Sequence, residues 1–164
     1  MKRQKNKKKT VINRFRMILP AISRNEAVCR SIAASFLAQS DPTVEEIADV
    51  KTVVSEAVTN CTVHAYRDMP ASESAKKQIY FSCELYSDGE FRFTVRDTGC
   101  GIADIAKAMT PLYTTDSAGE RSGMGLPIMQ SFSDSFKITS KPGKGTKVVF
   151  TKTVAHTEED DKDT

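Results

Sequence analysis

A chain of 164 residues with 39% hydrophobic and 27% charged residues has the make-up of one soluble globular domain, long enough to bury a real core. No apolar run approaches membrane-spanning length and the N-terminus lacks an apolar signal-peptide segment, which argues against a spanning or secreted protein and makes the cytoplasm the expected location. The net charge of +3 is a poor guide to the domain, because residues 2–9 (KRQKNKKK) carry six positive charges, residues 157–164 (TEEDDKDT) carry five acids and one lysine, and the rest stands at +1.

The charged ends are expected to be disordered, residues 1–9 as a basic arm and 155–164 as an acidic tail, flanking a single domain at 10–154. Basic runs can bind nucleic acid, but this one has no aromatic residue and no fold around it, so no direct nucleic-acid partner is expected. The four cysteines (Cys29, Cys61, Cys83, Cys100) form no C-x-x-C pair, and with only His64 and His156 beside them a zinc site is not expected. Reduced thiols in a cytosolic protein account for them.

In chain order, residues 11–19 (VINRFRMIL) read as a strand with Val11, Asn13, Phe15, Met17 and Leu19 on one face, ended by Pro20. Ser23-Arg-Asn-Glu26 is a capping-box pattern that opens a helix to about Gln39. Its apolar side is Val28, Ile32, Phe36 and Leu37, with Arg24 and Arg30 on other sides. Asp41-Pro42 breaks the chain, and Thr43-Val-Glu-Glu46 is a second capping box starting the central helix. Within it, VKTVVSEAVTNCTVHAY at 50–66 places Val50, Val54, Ala57, Val58 and Cys61 at the three-and-four spacing of one buried face.

Residues 67–76 are polar, contain Pro70 and read as a loop. Residues 78–86 alternate Ile79, Phe81, Cys83 and Leu85 against polar neighbours, Asp88-Gly89 signals a hairpin, and Phe91, Phe93 and Val95 alternate on the return. Residues 103–122 have the weak periodicity and small, polar make-up of a mobile segment. A short helix at 126–132 follows, then a hairpin of 135–140 and 147–154 across Pro142-Gly143-Lys144-Gly145. This order predicts an α+β fold, a two-layer α/β sandwich with helices on one face of a mixed, mainly antiparallel sheet.

Three short patterns carry chemistry. Glu56 and Asn60 stand four residues apart on the central helix, one above the other about 6 Å along the axis. A carboxylate there could accept a proton and the amide carbonyl could ligate a hard cation such as Mg²⁺, although E-x-x-x-N alone reads as a solvated polar stripe. Asp97-Thr-Gly99-Cys-Gly101 lies where a strand ends, its glycines letting the backbone turn beside a ligand. Asp97 could accept a hydrogen bond from a flat amine such as the exocyclic NH₂ of adenine; alone, the pattern is a plain turn. Arg121-Ser-Gly123-Met-Gly125 precedes a helix, where bare backbone N–H groups favour phosphate, but G-x-G before a helix is common.

Their order changes the reading. An E-x-x-x-N helix, D-x-G-x-G, a flexible stretch, G-x-G opening a helix, and Gly145-Thr146 before a last strand together resemble the GHKL (Bergerat-fold) ATP-binding superfamily across residues 56–146. Its members include gyrase-type topoisomerases, heat-shock chaperones, histidine kinases and small protein-serine kinases. The runs SFLAQSDPTVEE at 35–46, VKTVVSEAVTN at 50–60, PLYTTD at 111–116 and ERSGMGLPIM at 120–129 are similar to the sporulation anti-sigma-F factors of endospore-forming bacteria, over roughly residues 10–152. That resemblance implies a homodimer that binds ATP or ADP with Mg²⁺ and holds an RNA polymerase sigma factor, sigma F, inactive. It also implies a protein-serine kinase that phosphorylates and inactivates an anti-anti-sigma factor.

Position by position, the resemblance implies Glu56 as catalytic base and Asn60 as Mg²⁺ ligand. Asp97 would bind adenine, with Gly99 and Gly101 shaping its pocket and Thr146 supporting that end. Gly123 and Gly125 would face the phosphates, Arg121 would reach the γ-phosphate from a lid, and Thr114 and Thr115 would be lid residues covering the nucleotide. Arg30 matches an arginine expected to face protein partners, while His64 is read as helix-end structure. The alternative is a binding-only regulator in which ATP merely orders the lid. A histidine-kinase half would need a phosphoacceptor histidine on a dimerisation helix before residue 50, and a topoisomerase or chaperone fragment would need transducer domains. The expected dimer contact is the first strand, with Phe15, Met17 and Leu19 on one side of it, and a sheet face that no helix covers.

Overall fold

Apolar residues at every second position build the sheet. In β2 (Gln78–Tyr86), Ile79, Phe81, Cys83 and Leu85 are buried between half-exposed neighbours, and in β3 (Glu90–Arg96) Phe91, Phe93 and Val95 repeat the pattern, because successive strand side chains point to opposite faces. The computed structural model describes residues 9–111 and 124–154, and these two strands lie at its centre. They join at Asp88-Gly89, where Gly89 takes a φ of +80°, a conformation that side-chain-bearing residues rarely adopt.

β1 (Val11–Pro20) pairs with β2, and a second hairpin of β4 (Ser135–Lys141) and β5 (Gly145–Thr153) joins through β5 to β3. The strand order is β1-β2-β3-β5-β4 and every ladder is antiparallel, a stricter form of the mixed, mainly antiparallel sheet expected. Phe15, Met17 and Leu19 of β1 turn inward and pack against the core, so they do not form the outer contact surface expected of them. The exposed apolar residues of β1 are instead Val11, Ile12 and Ile18.

α1 (Arg24–Leu37) and α2 (Val44–Asn60) pack together over one face of the sheet. The capping box of α2 forms as expected: the Glu46 N–H donates to Thr43 Oγ1 at 3.1 Å and the Thr43 N–H to Glu46 Oε2 at 2.8 Å. The one expected for α1 does not. Ser23 has helical dihedrals and caps nothing, and Glu26 instead accepts a hydrogen bond from Ser55 of α2 and an ion pair from Arg30 at 3.2 Å. An N-cap needs an extended backbone to aim its oxygen at the helix, and Ser23 lacks one. The buried face of α1 is also turned: Cys29, Ala33, Phe36 and Leu37 lie inside while Val28 is 41% exposed. The small Cys29 and Ala33 let α1 lie close to its neighbours, which Val28 and its β-branch would not.

Edge-to-face rings tie the layers, Phe15 on Phe36 and Phe36 on Phe91, and stacked rings continue along the sheet from Phe91 through Phe93 to Phe150. Beyond α2 the chain widens into a single π-helical turn, Cys61–Ala65. A 3₁₀ segment at Ala71–Lys76 occupies the expected loop, and two short helices follow, α3 (Ile105–Ala108) and α4 (Gly125–Ser131). All four cysteines are free thiols. No helix among the described residues is long and apolar enough to cross a membrane.

Candidate functional site

The C-terminal half of α2 forms one wall of a cavity of about 860 Å³, closed by the loop after β3, by α3 and by the start of α4. The apolar face of α2 is committed to the core, which leaves Glu56 and Asn60 half-buried at its edge and lining the cavity. The π-helical turn then holds His64 and Ala65 in the same wall, and such turns recur at functional sites. His64 therefore belongs to the cavity wall as well as to the helix end.

Asp97 sits at the far end, 4% exposed, at the point where β3 stops. Its Oδ1 accepts two backbone N–H groups, from Gly99 at 2.9 Å and Thr146 at 3.2 Å, and its Oδ2 faces the Cys61 thiol at 3.8 Å. Burial pushes the Asp97 carboxyl above its ordinary value, and the two backbone donors pull the other way. The same burial, with Asp97 beside it, keeps the Cys61 thiol protonated and a hydrogen-bond donor. One carboxylate oxygen is thus held by two backbone donors and the other by the weaker Cys61 thiol alone.

The glycines make this end possible. A methyl group on Gly99 would stand 2.0 Å from the Ala65 carbonyl oxygen, to which the Cys100 N–H donates at 2.7 Å. A methyl group on Gly101, which takes a φ of +71°, would stand 2.2 Å from the Lys141 carbonyl oxygen. The loop is stitched to the β4–β5 hairpin by the Gly143 N–H on the Cys100 oxygen at 2.7 Å and the Ile102 N–H on Ser140 Oγ at 2.8 Å. Thr146 lines the cavity, and its hydroxyl shares a hydrogen bond with Ser140 at 2.9 Å.

At the opposite end, Gly125 opens α4 against Glu56. A methyl group there would come 2.8 Å from Glu56 Oε2 and 3.9 Å from Asn60 Oδ1. Glu56, Asn60, Asp97, Gly101, Gly125 and Thr146 therefore line one cavity, with Gly99 packed behind it. Thr114, Thr115, Arg121 and Gly123 lie outside the described residues. Arg30 stands apart on α1, ion-paired to Glu26.

The structure adds wall residues that the sequence reading passed over: Arg67, Ile102, Asp104, Lys107 and Leu126. One signal for them was available. Asp104 is followed three residues later by Lys107, whose N–H it caps at 2.9 Å, the mark of a short helix in a stretch read as irregular.

Fold and cavity define an ATPase domain of the histidine-kinase type: residues 19–152 match the histidine kinase-like ATPase domain family. The chain is 45% identical over 140 residues to the anti-sigma F factor of Oceanobacillus iheyensis, covering 85% of this chain and 92% of that one. It is 48% identical over 130 residues to that of Caldanaerobacter subterraneus subsp. tengcongensis (79% and 86% covered) and 44% over 140 residues to that of Bacillus subtilis (85% and 92%). The chain belongs to the anti-sigma F factor family. Among solved structures, the RsbU and RsbW domains of a Mycobacterium tuberculosis protein superpose with a TM-score of 0.61 at 20% identity, over 87% of this chain and 32% of that one. Full-length ShkA in complex with AMPPNP gives 0.52 at 16% identity, over 84% and 32%. At these identities the likeness is one of fold.

Proposed function

We propose that this chain is a nucleotide-dependent anti-sigma factor that binds a sigma factor of the F type and, as a protein-serine kinase, phosphorylates the anti-anti-sigma factor that opposes it. The observation that carries the reading is the meeting of Glu56, Asn60 and Gly125 at one end of a cavity whose other end is Asp97. A buried carboxylate whose Oδ2 is held only by the weak Cys61 thiol donor suits the amine of adenine, and a carboxylate with an amide oxygen beside a bare helix start suits the reacting phosphate end.

Bound ATP with Mg²⁺ would supply the transferable phosphoryl group and spread its charge. Among the described residues no group of three or more His, Cys, Asp or Glu side chains is placed to hold a metal. Asn60 Oδ1 would be a hard protein ligand for an ion that takes most of its shell from phosphates and water. Asp97 would orient the base through Oδ2, its Oδ1 being held by Gly99 and Thr146. Glu56 would accept the proton of the attacking serine hydroxyl, and Gly125, bare of side chain, leaves room for that carboxylate. Arg67 and Lys107 on the wall would add positive charge near an anionic ligand. In this reading Arg121 reaches the γ-phosphate, Gly123 faces the phosphates, and Thr114 and Thr115 cover the nucleotide.

Arg30 would meet protein partners, exchanging its ion pair with Glu26 for one across the interface. A homodimer would use β1, an edge strand with Ile12 and Ile18 exposed, and sedimentation in the presence of ATP reads its mass. The reaction is tested by incubating the chain with labelled ATP and an anti-anti-sigma factor. Label should appear on serine, and Glu56→Gln should lower the rate about 10²–10⁴-fold while nucleotide binding persists. Transfer at the wild-type rate in that variant removes Glu56 from the mechanism.

A further inference from the structure

The face of the sheet opposite the helices is a groove of about 1320 Å³, and it is basic. Strand register lays its residues in rows. One runs Tyr80, Arg96, Lys147 and Thr139; the next runs Arg16, Ser82, Thr94, Val149 and Lys137. Arg16, Arg96, Lys137 and Lys147 are all exposed, and none has an ion pair with a carboxylate among the described residues. Lys141 and Lys144 add positive charge at the β4–β5 turn. The acids lining the groove are Glu84, Glu90 and the buried Asp97, and none pairs with Arg16, Arg96, Lys137 or Lys147: Glu84 accepts from the Tyr86 hydroxyl, Glu90 is shared between Lys9 and Arg92, and Asp97 accepts from Gly99 and Thr146. Since the chain without its charged ends stands at +1, the excess on this face is a segregation of charge.

Such a face calls for an anionic cover, and the chain carries one. β5 ends at Thr153, and the Val154 N–H donates to the Gly89 oxygen at 3.3 Å, at the β2–β3 hairpin end of the groove. Glu158, Glu159, Asp160, Asp161 and Asp163 follow, within about 13 to 32 Å of extended chain from Val154. The row holding Lys147 lies about 24 Å back along β5 from Val154. The reach is sufficient. An extended segment repeats its same-side residues about every 6.8 Å, which is also the spacing between the two cationic rows, set two residues apart on each strand.

We propose that the acidic segment 158–163 folds back along β5 and docks, in the same chain, on the rows of Arg16–Lys137 and Arg96–Lys147. Tethering keeps its local concentration near the millimolar scale. Single exposed pairs contribute little, so the attraction is collective and sensitive to salt. Arg96 and Lys147 adjoin Asp97 and Thr146 in the chain, so the docked segment backs the strands that form the Asp97 end of the cavity. It also withholds the face from other polyanions.

The test is zero-length carbodiimide coupling of the intact chain, as an equal mixture of unlabelled and ¹⁵N-labelled protein, with the linked peptides read by mass spectrometry. Amide links should join the 158–163 carboxylates to Lys137, Lys141, Lys144 or Lys147 within one isotope, and fall about ten-fold between 0.05 and 0.5 M NaCl. Links confined to lysines of the 2–9 arm, links across isotopes, or no links overturn the proposal. As a second measurement, the variant E158Q/E159Q/D160N/D161N/D163N should bind a fluorescent peptide of residues 155–164 at least ten-fold more tightly than the intact chain does. Adding R16Q/R96Q/K137Q/K147Q should abolish that binding while the melting temperature holds. A single-stranded DNA oligomer that binds the intact chain as tightly as it binds the tail variant, and loses that affinity when R16Q/R96Q/K137Q/K147Q is added, assigns the face to nucleic acid and refutes the docked tail.

Discussion

Replacing Asp97 by Asn separates recognition from folding. Oδ1 is saturated by the N–H groups of Gly99 and Thr146, and an amide oxygen can take both of those bonds. The new Nδ2 then occupies the place of Oδ2 beside the Cys61 thiol and presents N–H groups there, donor against the donor of an adenine amine. The change removes a hydrogen bond to a charged acceptor, about 1.5–3 kcal/mol, so affinity for ATP should fall roughly 10- to 150-fold. Stability should hold or rise, because the buried charge that pushes the Asp97 pKa upward has gone. The wild-type pH dependence follows the same logic. The ionised form is the acceptor, so affinity should weaken as pH falls through a value above the ordinary 3.8, while the carboxyl's own contribution to folding is greatest below 3.8 and is lost as pH rises through its raised folded value. Asp97→Asn should lose both dependences. Calorimetry with Mg-ATP and thermal melts without nucleotide, both run from neutral pH down to the lowest pH at which the protein stays folded, make the measurement. Unchanged affinity, or a loss of melting temperature that accounts for the loss of binding, refutes the reasoning.

Two glycine substitutions should part in their effects. Gly99→Ala drives a methyl into the rigid backbone at Ala65 and should destabilise the fold by about 1–3 kcal/mol, seen in denaturant melts. Gly125→Ala meets only the movable end of Glu56, so stability should change little while phosphoryl transfer drops; equal melts for the two variants would contradict this. The capping contrast is sharper still. Thr43→Ala should lower stability by about 0.5–2 kcal/mol, and Ser23→Ala should change it by less than about 0.5 kcal/mol despite the same sequence pattern.

Some residues could be read directly because their cause is local. The alternation of Ile79, Phe81, Cys83 and Leu85 needs no partner to define a strand with one buried face, and it set the register of β2. Thr43 and Glu46 satisfy one another across a single helical turn, so their pattern and their structure coincide. Ser23 and Glu26 share the pattern, yet Glu26 went to Ser55 on another helix, a partner 29 residues away that no local rule contains. The inward turn of Phe15, Met17 and Leu19 and the exposure of Val28 were likewise settled by what stands opposite them.

The candidate site divides in the same way. The chain by itself determined which residues carry chemistry, because E-x-x-x-N, D-x-G-x-G and G-x-G report short-range needs: a shared helix face, a tight turn, a bare helix start. Only the tertiary structure decided that they meet. Gly125 stands against Glu56 some 69 residues away, Thr146 donates to Asp97 across 49, and the π-helical turn brings His64 and Ala65 into the wall. Those juxtapositions arise from packing two hairpins and two helices on one core, where each contact depends on every element being in place at once.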